Sequence, residues 1–192
     1  MQLAEIVAWL RSRLPEDAII ANGAGNFAGW VSRYCRYPRW RTQVAPANGS
    51  MGYGVPAGVA AKVAHPERMV VSINGDGDFL MNGQELATAV QYGLPVIFLV
   101  VNNNMYGTIR MHQERDYPAR VYATGLRNPD FAALALAYGA HGETVEETAQ
   151  FAPAFERAAA AGKPALIEVR IDPQAITTST TLDAIRARAL KG

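Results

Sequence analysis

The sequence predicts an α/β fold, a doubly wound, mostly parallel sheet with helices on both faces. Two observations carry that prediction. Short apolar, β-branched runs alternate along the chain with longer segments of helical period, which is the pattern of a sheet covered by crossover helices. One of those runs, Val96 to Val101 (VIFLVV), is apolar without alternation, as a strand covered on both faces is.

The elements follow in order. The first residues, MQLAEIVAWLRSRL, read as an amphipathic helix from about Leu3 to Arg13 and not as a signal peptide. A strand at Ala18 to Ala21 comes next, then a helix from Asn26 to Tyr34, a loop to Pro46 and a helix from about Gly54 to Ala64. Met69 to Ile73 (MVVSI) is a β-branched run that stops at Asn74-Gly75, so it predicts a buried strand ending in a turn. Between Gly83 and Tyr92, Leu86, Ala87, Ala89 and Val90 recur at helical spacing, and Gly93-Leu94-Pro95 supplies a helix stop. After the Val96–Val101 strand the pattern gives a helix starting near Tyr106, a loop through Pro118 to Pro129 and a helix from Asp130 to Tyr138. Strand Ala140 to Val145, helix Glu147 to Ala161 and strand Ala165 to Ile171 complete the sheet. Asp172-Pro173 then ends a domain taken as 1–172. The remainder, 173–192, reads as a tail: a threonine-rich stretch, Ile176 to Thr181, and a helix, Leu182 to Leu190, expected to pack on a neighbouring domain or subunit.

Composition narrows the function classes. At 192 residues and 49% hydrophobic content the chain can bury one good core. A net charge of +1 gives no electrostatic case for nucleic acid or a membrane surface. The basic cluster Arg33, Arg36, Arg39 and Arg41, interleaved with Tyr34, Tyr37 and Trp40, fits a domain or subunit interface better under that charge balance. The single cysteine, Cys35, excludes an internal disulfide and reads as a small buried or interface residue. No apolar run reaches membrane-spanning length, which with the first residues points to the cytoplasm.

The chemistry lies between Gly75 and Asn104, GDGDFLMNGQELATAVQYGLPVIFLVVNNN. One strand–helix–strand unit with a right-handed crossover brings the ends of its two strands together, so Asp76 and Asn103 emerge as neighbours at the edge where open α/β sheets bind ligands. A carboxylate, an amide oxygen and a backbone carbonyl form an oxygen set suited to Mg²⁺ or Ca²⁺. With only one negative charge in that set, the cation calls for an anionic co-ligand such as a diphosphate, which Gly75 and Gly77 would let backbone N–H groups approach. His65 and His141 read as surface or loop residues, Met81 as core and Glu85 as helix surface; His112, on the helix after the Asn run, could face the site.

The stretch is similar to the diphosphate-binding signature of thiamine diphosphate enzymes, and the chain from about Leu3 to Ile171 resembles the C-terminal domain of the acetolactate synthase and 2-keto-acid decarboxylase family. The resemblance implies that Asp76, the Asn103 side chain and the Met105 carbonyl hold Mg²⁺, with Gly77 and Asp78 at the diphosphate and Tyr106 and Gly107 beside it. It implies that the segment Asn48 to Ala57 holds the pyrimidine, with the Gly49 carbonyl accepting from the 4′-amino group, Ser50 adjacent and Met51 wedged between the two rings. Gly25, Asn26 and Phe27 fall at the family's first strand-to-helix turn, near the diphosphate. It further implies carbanion chemistry on a small 2-keto acid, with carbon dioxide or another fragment lost and the product protonated or added to a second carbonyl. The family's activating glutamate belongs to a separate pyrimidine-binding domain, usually of a partner subunit in a dimer or tetramer, so no catalytic residue is expected in this chain. FAD, where the family uses it, sits in a middle domain outside this sequence. In acetolactate synthases proper a tryptophan usually stands where this chain has His112, which puts biosynthetic acetolactate synthesis in doubt.

Two other readings compete. Gly23-Ala24-Gly25-Asn26-Phe27-Ala28 fits the dinucleotide fingerprint of an NAD-dependent oxidoreductase, but no Asp or Glu lies between Asp17 and Glu67 to hold a ribose. A non-catalytic assembly module that keeps the fold is the other.

Overall fold

Every strand lies parallel to its neighbours in one sheet of order β2-β1-β3-β4-β6-β5 in the computed structural model, which describes residues 1–191. The strands are β1 (Ile19–Asn22), β2 (Gln43–Val44), β3 (Val70–Gly75), β4 (Val96–Asn102), β5 (His141–Val145) and β6 (Ala165–Arg170). The helices are α1 (Leu3–Arg13), α2 (Ala28–Tyr34), α3 (Gly54–Ala64), α4 (Asp76–Asn82), α5 (Glu85–Gln91), α6 (Gly107–Asp116), α7 (Phe131–Ala137), α8 (Thr148–Ala160) and α9 (Leu182–Ala189).

The unbroken apolar run of β4 is explained by its neighbours. Successive side chains of a strand point to opposite faces, and all seven β4 residues are buried. Ile97, Leu99 and Val101 enter the core beneath α1, α2 and α8, while Val96, Phe98 and Val100 enter the core beneath α3, α5 and α7. Edge-to-face aromatic contacts fasten the two layers: Trp9 of α1 against Phe151 and Phe155 of α8, and Phe79 of α4 against Phe131 of α7. Phe98 is fully buried at the centre, and its truncation to alanine would cost about 3–5 kcal/mol.

The structure moves several expected boundaries. β3 does not stop at a turn after Ile73: Asn74 and Gly75 pair in register with Val100 and Val101, and α4 starts directly at Asp76. The longer β4 beside it extends the ladder, and Asn74 stays in the sheet because its buried amide donates to Ser72 Oγ. α5 falls within the helix expected between Gly83 and Tyr92, while α4 before it was not expected, and Gly83 and Gln84 keep helical conformation between the two. β2 is a two-residue edge strand inside the expected loop. Met81, read as core, is 48% exposed on α4. α9 packs against α6 of its own chain, where Arg186 reaches Glu114. No helix among the described residues is long and apolar enough to cross a membrane.

Candidate functional site

Strand order reverses between β1 and β3, since β1 leads outward to β2 while β3 begins the run to β4 and β6. Loops leaving such a switch point diverge and leave a crevice at the carboxyl ends of the strands. A cavity of about 390 Å³ lies there, a volume in the small-molecule range. Its wall contains Gly25, Asn26 and Phe27 after β1, Gly49 and Met51 before α3, Asp76, Gly77 and Asp78 after β3, and Asn103, Met105, Tyr106 and Gly107 after β4. Of the residues singled out for the cofactor, Ser50 is absent from the wall: it is exposed and its hydroxyl donates to Asn48 Oδ1 at 2.8 Å.

Asp76 is 3% exposed. Its Oδ1 accepts from the Gly77 N–H at 3.0 Å and its Oδ2 from the Asn128 amide at 2.8 Å. Burial pushes its carboxyl above the usual range, and the hydrogen bonds, that of Asn128 foremost, pull it back. Among the described residues no lysine, arginine or histidine lines the cavity, so a buried carboxylate here has no cationic side chain beside it in the wall. Among the described residues no three His, Cys, Asp or Glu side chains cluster as a metal cage.

β4 supplies the second half. Asn104, at φ 55°, adopts the left-handed conformation that asparagine tolerates and turns the chain out of the strand. Asn103 Oδ1 accepts from the Met105 N–H at 3.2 Å. Met105 bridges Gly125, with Tyr106 N–H donating to the Thr124 carbonyl and Leu126 N–H to the Asn104 carbonyl, both at 2.9 Å. The loop after α6 is thereby laid across the end of β4.

Glycine is required at particular points of the wall. A Cβ on Gly77 would stand 2.5 Å from the Tyr106 ring, so the ring lies on bare backbone. Gly52 has φ 79°, its N–H donates to Asp78 Oδ1 at 2.8 Å, and its carbonyl accepts from Asn82. Those two bonds dock the loop carrying Met51 onto α4.

Asp78, expected beside a diphosphate, lines the cavity but directs its carboxylate inward. Oδ1 accepts from Ala24 at 3.2 Å as well as from Gly52, and Oδ2 is buried without a partner. Burial raises its pKa. The group ties the loops carrying Ala24 and Gly52 to α4, and a carboxylate repels an anion instead of binding it. Asn26 is likewise committed: its Oδ1 accepts from Thr108, and its Nδ2 donates to the Ile176 carbonyl. Its side chain ties the first loop to α6 and to the tail, and Ala175 and Ile176 of that tail line the cavity. His112 is exposed and outside the wall.

Sequence reasoning missed Asn128, Asn102, Glu168 and Thr108. Asn102 Nδ2 donates to the buried Glu168 at 2.7 Å, and its Oδ1 accepts from Asn128 at 2.9 Å. No local signal marks them. Asn128 lies before a proline in an irregular loop, and a glutamate inside the apolar β6 run was the one anomaly that pointed to a buried polar partner.

Comparison with known proteins completes the picture. Residues 23–169 match the family described as thiamine pyrophosphate enzyme, C-terminal TPP binding domain. The acetolactate synthase of Arthrospira platensis is 35% identical over 165 residues, covering 85% of this chain and 28% of that one. The acetolactate synthase isozyme 2 large subunit of Escherichia coli K12 is 34% identical over 165 residues, covering 85% and 30%. Among solved structures, the thiamine diphosphate-dependent 4-hydroxybenzoylformate decarboxylase of Rhodococcus jostii RHA1 superposes with a TM-score of 0.84 at 32% identity, covering 90% of this chain and 33% of that one. The chain thus spans about a third or less of the length of these relatives.

Proposed function

The chain belongs to the family of thiamine pyrophosphate enzyme C-terminal TPP binding domains, and we propose from that premise that it holds the diphosphate of thiamine diphosphate through Mg²⁺ within a larger 2-keto-acid lyase, carboligase or decarboxylase. The observation that carries the reading is the cavity wall itself. Asp76 and Asn103 stand on adjacent strand ends, with bare glycine backbone around them and no basic side chain to neutralise a phosphate. Such a wall binds an anion only through backbone N–H groups and a cation.

The residues fit the group. Asp76, the Asn103 amide oxygen and the Met105 carbonyl are the oxygen donors for Mg²⁺, which neutralises the diphosphate there. The first turn of α6, where Gly107 and Thr108 line the cavity, offers free N–H groups to an anion. Met51 stands on a loop pinned at Gly52, which suits it to support a bent cofactor. When bound, thiamine diphosphate would supply carbanion chemistry toward a 2-keto acid. The activating acid, the acceptor pocket and the oligomer belong to the complementary pyrimidine-binding domain or subunit.

The test is a calorimetric titration of the chain with thiamine diphosphate, with Mg²⁺ and with chelator. Binding that requires Mg²⁺ and is abolished by Asp76→Ala is expected. Binding indifferent to both the metal and Asp76 would sink the reading.

A further inference from the structure

We propose that Asn128 is a positioning residue for the cation site, holding the Asp76 carboxylate in its binding orientation before a metal arrives; the inference rests on the reading of that site as a Mg²⁺–diphosphate site. The Asn128 Nδ2 lies 2.8 Å from Asp76 Oδ2, 2.9 Å from Asn102 Oδ1 and 3.4 Å from Asn104 Oδ1. An amide nitrogen has two hydrogens, and the two short contacts use them. The reverse orientation would set oxygen against three oxygens, so the amide faces this way. Its own Oδ1 is buried with no partner. An amide that leaves its acceptor unpaired while crossing to three oxygens is held by the demands of those oxygens.

Those contacts belong to a frame. Asn102 donates onward to Glu168 Oε1 at 2.7 Å, and Glu168 Oε2 accepts from Thr144 at 3.0 Å. Asp76 follows β3, and Asn102, Glu168 and Thr144 lie in the carboxyl-terminal halves of β4, β6 and β5, so Asn128 couples the Asp76 carboxylate to a polar ladder across the sheet. Partners of this kind fix the orientation of a ligating carboxylate and lower the cost of ordering it.

The loop does not need this side chain to stay in place. Its backbone is pinned by the two hydrogen bonds to Asn104 and Tyr106 on one side. On the other, Asp130 caps α7 by accepting from Ala133 at 2.9 Å. Asn128 is therefore free to serve the site, and its loss should appear in the metal requirement.

The experiment uses the full chain with Asn128→Ala and with Asn128→Leu, which fills the volume without a donor. Mg²⁺ is titrated at fixed thiamine diphosphate, followed by heat or by fluorescence of Trp30, which lines the cavity. Half-saturation should need about tenfold to a hundredfold more Mg²⁺, binding should return at saturating metal, and the metal-free melting temperature should stay near that of the wild type. An unchanged Mg²⁺ requirement in variants beside a binding wild type would overturn this inference alone. Variants that unfold without metal would also overturn it, by making Asn128 part of the fold. A wild type that binds no thiamine diphosphate with Mg²⁺ overturns the underlying reading and this inference with it.

Discussion

Two aspartates two residues apart have opposite assignments, and hydrogen bonding separates them. Asp76 accepts from the Gly77 N–H on one oxygen and from the Asn128 amide on the other, whereas Asp78 spends its Oδ1 on two backbone N–H groups and leaves Oδ2 buried without a partner. If the Asp78 charge is incidental and its acceptor oxygen is what matters, Asp78→Asn should keep stability within about 1 kcal/mol of the wild type, because the amide oxygen accepts both bonds and no buried charge remains. Asp78→Ala strands the Ala24 and Gly52 donors and should cost about 2–4 kcal/mol. Denaturant unfolding of the pair decides it; an asparagine variant as unstable as the alanine variant would mean that the charge itself is needed. The sequence pointed to a ligand at this stretch, because Asp76 and Asn103 each follow one strand of a single strand–helix–strand unit and their spacing is a local property. It could not show which way Asp78 turns, since that depends on loops 54 and 26 residues away.

At the scale of elements, what was legible was whatever is long or periodic. β4 and β6 are buried on both faces and announce themselves by composition, and α8 by its spacing of Phe151, Ala154, Phe155 and Ala158. α4 was missed because Gly77 lowers helix propensity and a seven-residue segment carries little period. β2 was missed because two residues carry no period. The tail helix α9 was expected on a neighbouring domain or subunit, since its ionic tie is not legible in the sequence: Glu114, 1% exposed, takes Arg186, Arg110 and the Ala119 N–H. The Arg186 guanidinium, followed by the backbone and Arg110 bonds, holds the Glu114 carboxyl down to about 2 from a usual 4.5. A depressed folded-state value stabilises above the unfolded value and is lost as pH falls through the folded one. This cluster should therefore contribute up to about 3 kcal/mol at neutral pH, disappearing between roughly pH 4.5 and 2. Glu114→Gln should remove that acid-side slope and raise hydrogen exchange in α9 before the sheet. An unchanged slope would place the coupling elsewhere.

For the whole molecule the decisive property is what the cavity lacks. Asp76 and Asp78 are the acids in its wall among the described residues, one assigned to the cation and the other to backbone N–H groups. The buried glutamates are equally committed, Glu114 to two arginines and Glu168 to Asn102, Thr144 and Arg170. A general acid or base must reach the reacting group and change its protonation state, and none of these four can do so without dismantling the bonds that hold it. If the chain seats the cofactor as proposed, none of these four is free to activate it. The purified chain, saturated with thiamine diphosphate and Mg²⁺, should release no carbon dioxide from a small 2-keto acid such as pyruvate above the rate of free cofactor. Addition of a complementary pyrimidine-binding domain should raise that rate, and Asp76→Ala should abolish the gain. Turnover by the chain alone would mean that one of the four carboxylates leaves its partners during the reaction, and substituting each in turn would identify it.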